Sequence, residues 1–554
     1  MAAPAAFTGG SAIFCDNGQG SAPALSNSYS LASAATAQGR QAFDVTADEG
    51  VTLDFGEPAK SYSVSGLDAY VPGLGYEGYF YAGAGEIVSL GLSCNVPSGC
   101  ALAGFACGAG TLTEGGTGWT LVMPGGDVRI SPVLIPDSGS GTPSDPYRIT
   151  AAGVWNMFTA AVENGFSTSG KYFTLENSVT VTTMIGTQEN PFAGVFDGNG
   201  KTLSFRAVNT DSSSPAAPFA WTGGAVIRNL RVTGSVTGSA GPASGLIGEN
   251  TGAVSEVTDC RVSVSLSGAS DLGGFLVSEG PGVYFSGCLF DGRLDGGPGS
   301  ACFAAGSRAH TGLSFIDCLA APASFKGGGA FFCGEVPAGT QALSNCYSLT
   351  AAAAAQGRQA FSVTAAKGVT LGFGTPAAAY DVSGLTAYAA GLLYDGVFYA
   401  GAGETVPLSL SCSVPSGSTF LGFESSTGTL AETETGWALT LSGGDAVIRA
   451  LVVTVPAFGT PDLVLPASLT EIQAETFEGA GMKAVLVPAQ VTSIGARAFR
   501  NCAHLERIRI PAGCTLGEDV FDGCGLVFVY SAAGSPAEAY CSDPAHSNCV
   551  FVQE

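Results

Sequence analysis

The chain has 554 residues, of which only 12% are charged, and an acidic excess that gives a net charge of −24 and a pI near 4.3. Its 21 basic residues are scattered, so no basic stripe exists to neutralise phosphates, and nucleic acid is excluded as a partner. The mean hydropathy is positive, yet no run of 18 or more apolar residues occurs and no membrane span is read. The 81 glycines, set between short β-branched stretches, predict an all-β, multidomain protein built from repeats.

One duplication organises the chain. Residues 4–130 recur at 322–448 with a constant offset and no gap; SNSYSLASAATAQGRQAF (26–43) becomes SNCYSLTAAAAAQGRQAF (344–361). The second copy follows a repeat array, whereas the first has only the last piece of such an array before it. Residues 1–35 are therefore read as a remnant of coils, with the N-terminal region and a secretion signal expected upstream of Met1.

Residues 36–136 form the first β module. VTLDF, GYFYA and EIVSLGLSC alternate with period two, which predicts half-buried antiparallel strands. GWTLVMPGGDVRIS (118–131) reads as strand, tight Gly-Gly-Asp turn, strand. Trp119, like Trp437 at the matching position, is expected as a core anchor, with an exposed glycan platform as the alternative. Cys100 and Cys107 flank ALAGFA; as one extended strand it holds their Cα atoms about 23 Å apart, beyond disulfide reach. Cys94 and Cys100 flank NVPSG, which as a hairpin turn would bring them together, so a Cys94–Cys100 bond is expected.

Between 137 and 353 the period is near 29. Leu230, Cys260, Cys288, Cys318 and Cys346 form one line; Leu246, Phe275, Phe303 and Phe331 form another. Equal spacing means stacked coils, each placing the same side chain over its predecessor. The cysteines read as a buried ladder of small hydrophobes. Without any C-x-x-C pair, and with three isolated histidines, no metal or cofactor site is expected.

GTPSDPYRITAAGVWNMFTAAVENGFSTSGKYFTLENSVTV (141–181) and PFAGVFDGNGKTLSF (191–205) resemble the opening coil of bacterial right-handed parallel β-helix surface proteins. SGLIGENTGAVSEVTDCRVSVSLSG (244–268) resembles GLUG-type repeats. A β-helix can carry polysaccharide-cleaving carboxylates, and Asp259 and Asp317 are the best pair, two coils or roughly 9–10 Å apart. With Gly287 between them and Asn345 after them, a turn-forming series explains the pattern without catalysis. DGNGK (197–201) resembles the start of a calcium loop, but Val208 stands where its closing Glu belongs. No G-x-S-x-G elbow is present.

The second β module spans 354–458. YAGAGE (81–86 and 399–404) and VMPGGDV (122–128) resemble marks of internalin B repeats and immunoglobulin-like spacers. From 459 to 554 the period falls to 22: Ile472, Ile494 and Leu516 form one line, and Phe477, Phe499 and Phe521 another. This segment resembles BspA-type leucine-rich repeats with a C-terminal cap. A second disulfide, Cys541–Cys549, is expected to close the final loop.

These readings together imply a non-catalytic extracellular or bacterial cell-surface protein. Its repeats would bind an unidentified glycan or protein. The alternatives are a structural stalk and a polysaccharide-active β-helix enzyme.

Overall fold

A computed structural model describes residues 28–31, 40–48, 51–62, 66–70, 73–92, 96–116, 118–305, 312–326, 331–333, 342–349 and 358–554. Strands dominate, and two α-helices, α1 (Ala152–Glu163) and α2 (Pro536–Cys541), occur among the described residues. The protein is all-β and multidomain. It divides into two compact units, residues 1–361 with 373–402 and residues 362–372 with 403–554; the division runs through the second β module. The coil remnant expected over 1–35 lies outside the described residues except for 28–31, where strand Tyr29–Ser30 pairs in parallel with Arg40–Ala47.

In the first unit, the module of residues 36–136 packs two sheets face to face. One includes Tyr79–Gly83, Arg40–Ala47, Val128–Pro136 and Cys100–Cys107; the other orders Thr111–Gly115, Gly118–Val122, Ile87–Leu92 and Val51–Asp54. Val45, Val88, Leu121 and Ile130 fill the space between them. Two expectations are corrected here. Gly118–Val122 and Val128–Pro136 lie in different sheets, so Gly-Gly-Asp is a crossover between sheets rather than a hairpin turn. The pairing is also not wholly antiparallel, because Val128–Pro136 runs parallel to Arg40–Ala47.

The coils stack in parallel. Val195–Asp197, Val226–Arg228, Ser255–Thr258, Val283–Ser286, Ser314–Ile316 and Ala342–Ser344 follow one another in one sheet. Thr202–Asn209, Arg231–Gly238, Arg261–Gly268, Leu289–Phe290, Leu319–Ala320 and Tyr347–Ser348 do so in a second. Phe196, Ile227, Val257, Phe285 and Phe315 fall on one register line and point inward, all buried. Against the early coils lies α1, which buries Trp155, Phe158 and Val162 beside Phe173 and Phe192.

The cysteine ladder is buried from Cys260 to Cys346. Each thiol turns back on its own stack: the Cys288 Sγ donates to the Val257 carbonyl at 3.4 Å and the Cys346 Sγ to Phe315 at 3.3 Å. Burial pushes the Cys260 and Cys318 thiols up, so they stay protonated and act as small apolar fillers. The phenylalanine line holds for Phe275 on Phe303, with stacked rings 4.8 Å apart. Its next member is Phe332, 5.0 Å from Phe303, and not Phe331, which packs on Phe325 instead.

In the second unit, Ala446–Thr454 pairs with Ser418–Ser425 through the same bulged register that Val128–Pro136 makes with Cys100–Cys107. The C-terminal repeats align Leu463–Val464, Ala484–Leu486, Arg507–Arg509, Val527–Ser531 and Cys549–Gln553 as one parallel sheet. Ile472, Ile494 and Leu516 pair in register along a second line.

Candidate functional site

The candidate carboxylates Asp259 and Asp317 sit where each coil turns from its first sheet to its second. Two residues separate Thr258 from Arg261, so the reversal needs a left-handed residue. Asn229, Asp259, Gly287, Asp317 and Asn345 supply it on five successive coils, with φ of 52°, 52°, 60°, 53° and 52°. Asn, Asp and Gly are the residues that tolerate this conformation, which accounts for the series without chemistry.

The row is covered. Residues 378–401 of the second module belong to the same compact unit as the coils and lie across them. Leu385, Ala387 and Leu392 bury themselves against Leu289, Leu319 and Tyr347. Both the backbone N–H and the hydroxyl of Ser383 donate to Asp259 Oδ1 at 3.2 Å. The Tyr380 hydroxyl donates to Asp317 Oδ2 at 3.2 Å, and Asn345 Nδ2 donates to Asp317 Oδ1 at 2.7 Å. Asn345 Nδ2 also reaches the Tyr388 carbonyl, and the Gly391 N–H donates to the Tyr347 hydroxyl at 2.8 Å. Burial pushes the Asp259 carboxyl up, partly offset by the hydrogen bonds from Ser383. The stack thus brings Asp259 and Asp317 to one face, but protein groups occupy the places a glycosidic oxygen and a water would need.

The other singled-out residues are equally committed. Asp197 Oδ1 accepts from the Asn199 N–H at 2.8 Å and from Asn229 Nδ2 at 3.1 Å, while Oδ2 accepts from Arg228 at 2.9 Å. Among the described residues, no group of three or more His, Cys, Asp or Glu could hold a metal ion. Trp119 lies edge-on to Phe105 with ring centroids 6.1 Å apart, and Trp437 repeats this with Phe423 at 6.1 Å. Each indole covers a bulge glycine, Gly104 or Gly422, at φ 151° and 129°; a Cβ there would lie 2.8 Å and 2.6 Å from the ring. The tryptophans therefore face their modules' interiors.

Cys94 lies outside the described residues. Cys100 is a buried free thiol on the same strand as Cys107. The hairpin premise for Cys94–Cys100 does not hold, because Ile87–Leu92 and Cys100–Cys107 lie in different sheets. Cys541 and Cys549 are free thiols, and the neighbouring Cys541 thiol, with burial, pushes Cys549 well up; the Cys549 Sγ donates to Asn548 Oδ1 at 3.6 Å. The covering of the coil turns by residues 378–401 was not foreseen. Its one legible sign was the recurrence of tyrosine at 380, 388 and 394, which period-two alternation absorbed as strand residues.

Stacked coils, paired-sheet modules and a terminal array of period 22 define a modular repeat protein. Residues 459–534 match the family described as the BspA type leucine rich repeat region, in six copies. Repeats of this type are typical of bacterial surface proteins. No curated protein and no solved structure matches the chain. No described helix is long and apolar enough to cross a membrane.

Proposed function

We propose that the chain is a non-catalytic extracellular protein of the bacterial surface that binds a glycan or a partner protein. The match of residues 459–534 to BspA-type repeats carries this reading. Residues 137–353 would serve as a right-handed parallel β-helix with GLUG-like coils. Residues 36–136 and 354–458 would be spacer modules of the internalin B or immunoglobulin-like kind. The involvement of Asp259 and Asp317 in the covered turn row supports the non-catalytic part.

The experiment places the whole chain on arrays of glycans and of extracellular-matrix proteins, and incubates it with polysaccharides while reducing ends are assayed. Saturable binding without reducing-end release is expected. Absence of any ligand would favour a stalk, and release that Asp259→Ala abolishes would establish the enzyme.

The Cys541–Cys549 bond is proposed on the contact between the two thiols, where α2 ends and the last strand begins. Material exported through an oxidising compartment should yield this linked pair in non-reducing peptide maps, while buried Cys260, Cys288, Cys318 and Cys346 stay free. Free thiols at both 541 and 549 would refute it.

A further inference from the structure

The C-terminal end of α1 carries an acid that the fold leaves without a cation. Glu163 is the last residue of the helix, and the last turn holds no basic residue. A carboxylate at that end faces the negative pole of the helix dipole, an arrangement that costs stability unless something compensates. The Glu163 side chain is exposed, no ion pair or hydrogen bond reaches it among the described residues, and partial desolvation by its surroundings pushes its carboxyl up.

Two cavities open beside it, and Glu163 lines both. One, of about 480 Å³, is also lined by Arg129, Ser131, Asn164 and Asn190; the other, of about 310 Å³, by Thr187, Gln188, Ser214 and Trp221. Both fall in the range of roughly 300–1,000 Å³ that small-molecule sites occupy. Their shared wall is built: Asn190 Nδ2 donates to the Glu163 carbonyl at 3.0 Å, and the Asn190 N–H donates to Thr187 Oγ1 at 3.0 Å, tying the loop to the helix end. Arg129, the one cation lining the first cavity, is engaged with Asp48, which also takes the Ser131 hydroxyl.

We infer that this cleft binds an oligosaccharide that is neutral or carries amino sugars, seating sugar units on both sides of Glu163. The inference deepens the binding function proposed above and rests on it. Carboxylate, amide and hydroxyl groups beside Glu163 match the hydroxyl edge of a pyranose, and half-buried Met184, with the edges of buried Trp221 and Pro215, gives the second cavity an apolar floor. An uncompensated carboxylate at a helix C-terminus repels sialic acid, sulfate and phosphate and favours hydroxyl or ammonium donors.

The whole chain is tested on a printed array of neutral, glucosamine-containing and sialylated or sulfated oligosaccharides, and the tightest binder is then titrated calorimetrically. Neutral or glucosamine-containing glycans are expected to bind and acidic ones to fail. Glu163→Gln should weaken binding about tenfold or more, since it removes a charged acceptor. Gln188→Trp, at an exposed position, should do the same by filling the second cavity without altering thermal unfolding. Undiminished binding by both variants would overturn the cleft while leaving the binding function standing, as would a preference for acidic glycans. No glycan binding by the unmodified chain would overturn the cleft, and the wider function falls with it only if the protein arrays are also blank.

Discussion

Phe499→Ala is expected to destabilise the C-terminal repeats by about 3–5 kcal/mol, the range for truncating a fully buried phenylalanine. The ring is wholly buried and lies between its counterparts in the neighbouring repeats, 5.1 Å from Phe477 and 6.0 Å from Phe521, nearly parallel to both. Its removal opens a cavity that neither neighbour can fill, because the backbones of successive repeats are tied together: the Phe477 N–H donates to the Ala498 carbonyl and the Phe499 N–H to the Val520 carbonyl. In a stacked array the loss reaches both flanking interfaces, so it spreads along the repeats. Hydrogen exchange read on peptides from 459–554 should show faster opening across the array. Phe477→Ala is the internal comparison; that ring is only half-buried and its removal should cost less. An unchanged transition in Phe499→Ala would mean that the repeats do not share this core.

The same reasoning explains what the sequence made legible. A stacked coil places equivalent residues one above another, so the periods near 29 and of 22 record the packing directly, and the buried Cys and Phe lines were readable from spacing. Where spacing alone was ambiguous, the reading slipped. Phe331 and Phe332 are adjacent and both apolar, and only the backbone register, with Ala304 opposite Cys333, selects Phe332. The Gly-Gly-Asp segment carries the chemistry of a hairpin turn, yet that chemistry serves equally for a crossover between sheets. Val154, Trp155, Phe158, Ala161 and Val162 show the spacing of a buried helix face. That pattern was subsumed under the resemblance of residues 141–181 to an opening coil.

The candidate site was half legible. Asp259, Gly287, Asp317 and Asn345 were recognised as a turn series, and each has the left-handed backbone that this implies. What covers them was hidden, because the partners Tyr380 and Ser383 lie many residues away in a segment read as an independent module. Long-range docking of this kind leaves no periodic trace.

Gly287→Asp, which continues the row of acids, should destabilise the coil unit by about 3 kcal/mol, the upper end of the usual cost of overpacking. Backbone strain is not the main cause, since Asp adopts φ of 52° and 53° at the equivalent positions 259 and 317. Contact is. A Cβ at 287 would lie 2.1 Å from the Tyr380 ring, so the ring must leave and the Tyr380 bond to Asp317 goes with it. The new carboxylate would also stand one coil from Asp259 and one from Asp317, at a strand spacing of about 4.8 Å. Like charges at that distance raise each other's pKa in the folded state, and Asp259 is already raised above its ordinary 3.8 by burial. Native carboxyls raised in this way hold protons more tightly than the unfolded chain does. The variant's stability is therefore fullest below the unfolded value and falls as pH rises through the raised native ones. Gly287→Ala makes the same clash without the charge, so its deficit should stay flat across that window while that of Gly287→Asp grows towards neutral pH. Urea unfolding at acidic and neutral pH, with limited proteolysis across 376–396, reads both effects. Wild-type stability in Gly287→Asp, with 376–396 still protected, would mean that Tyr380 does not hold the second module's hairpin over the coil turns.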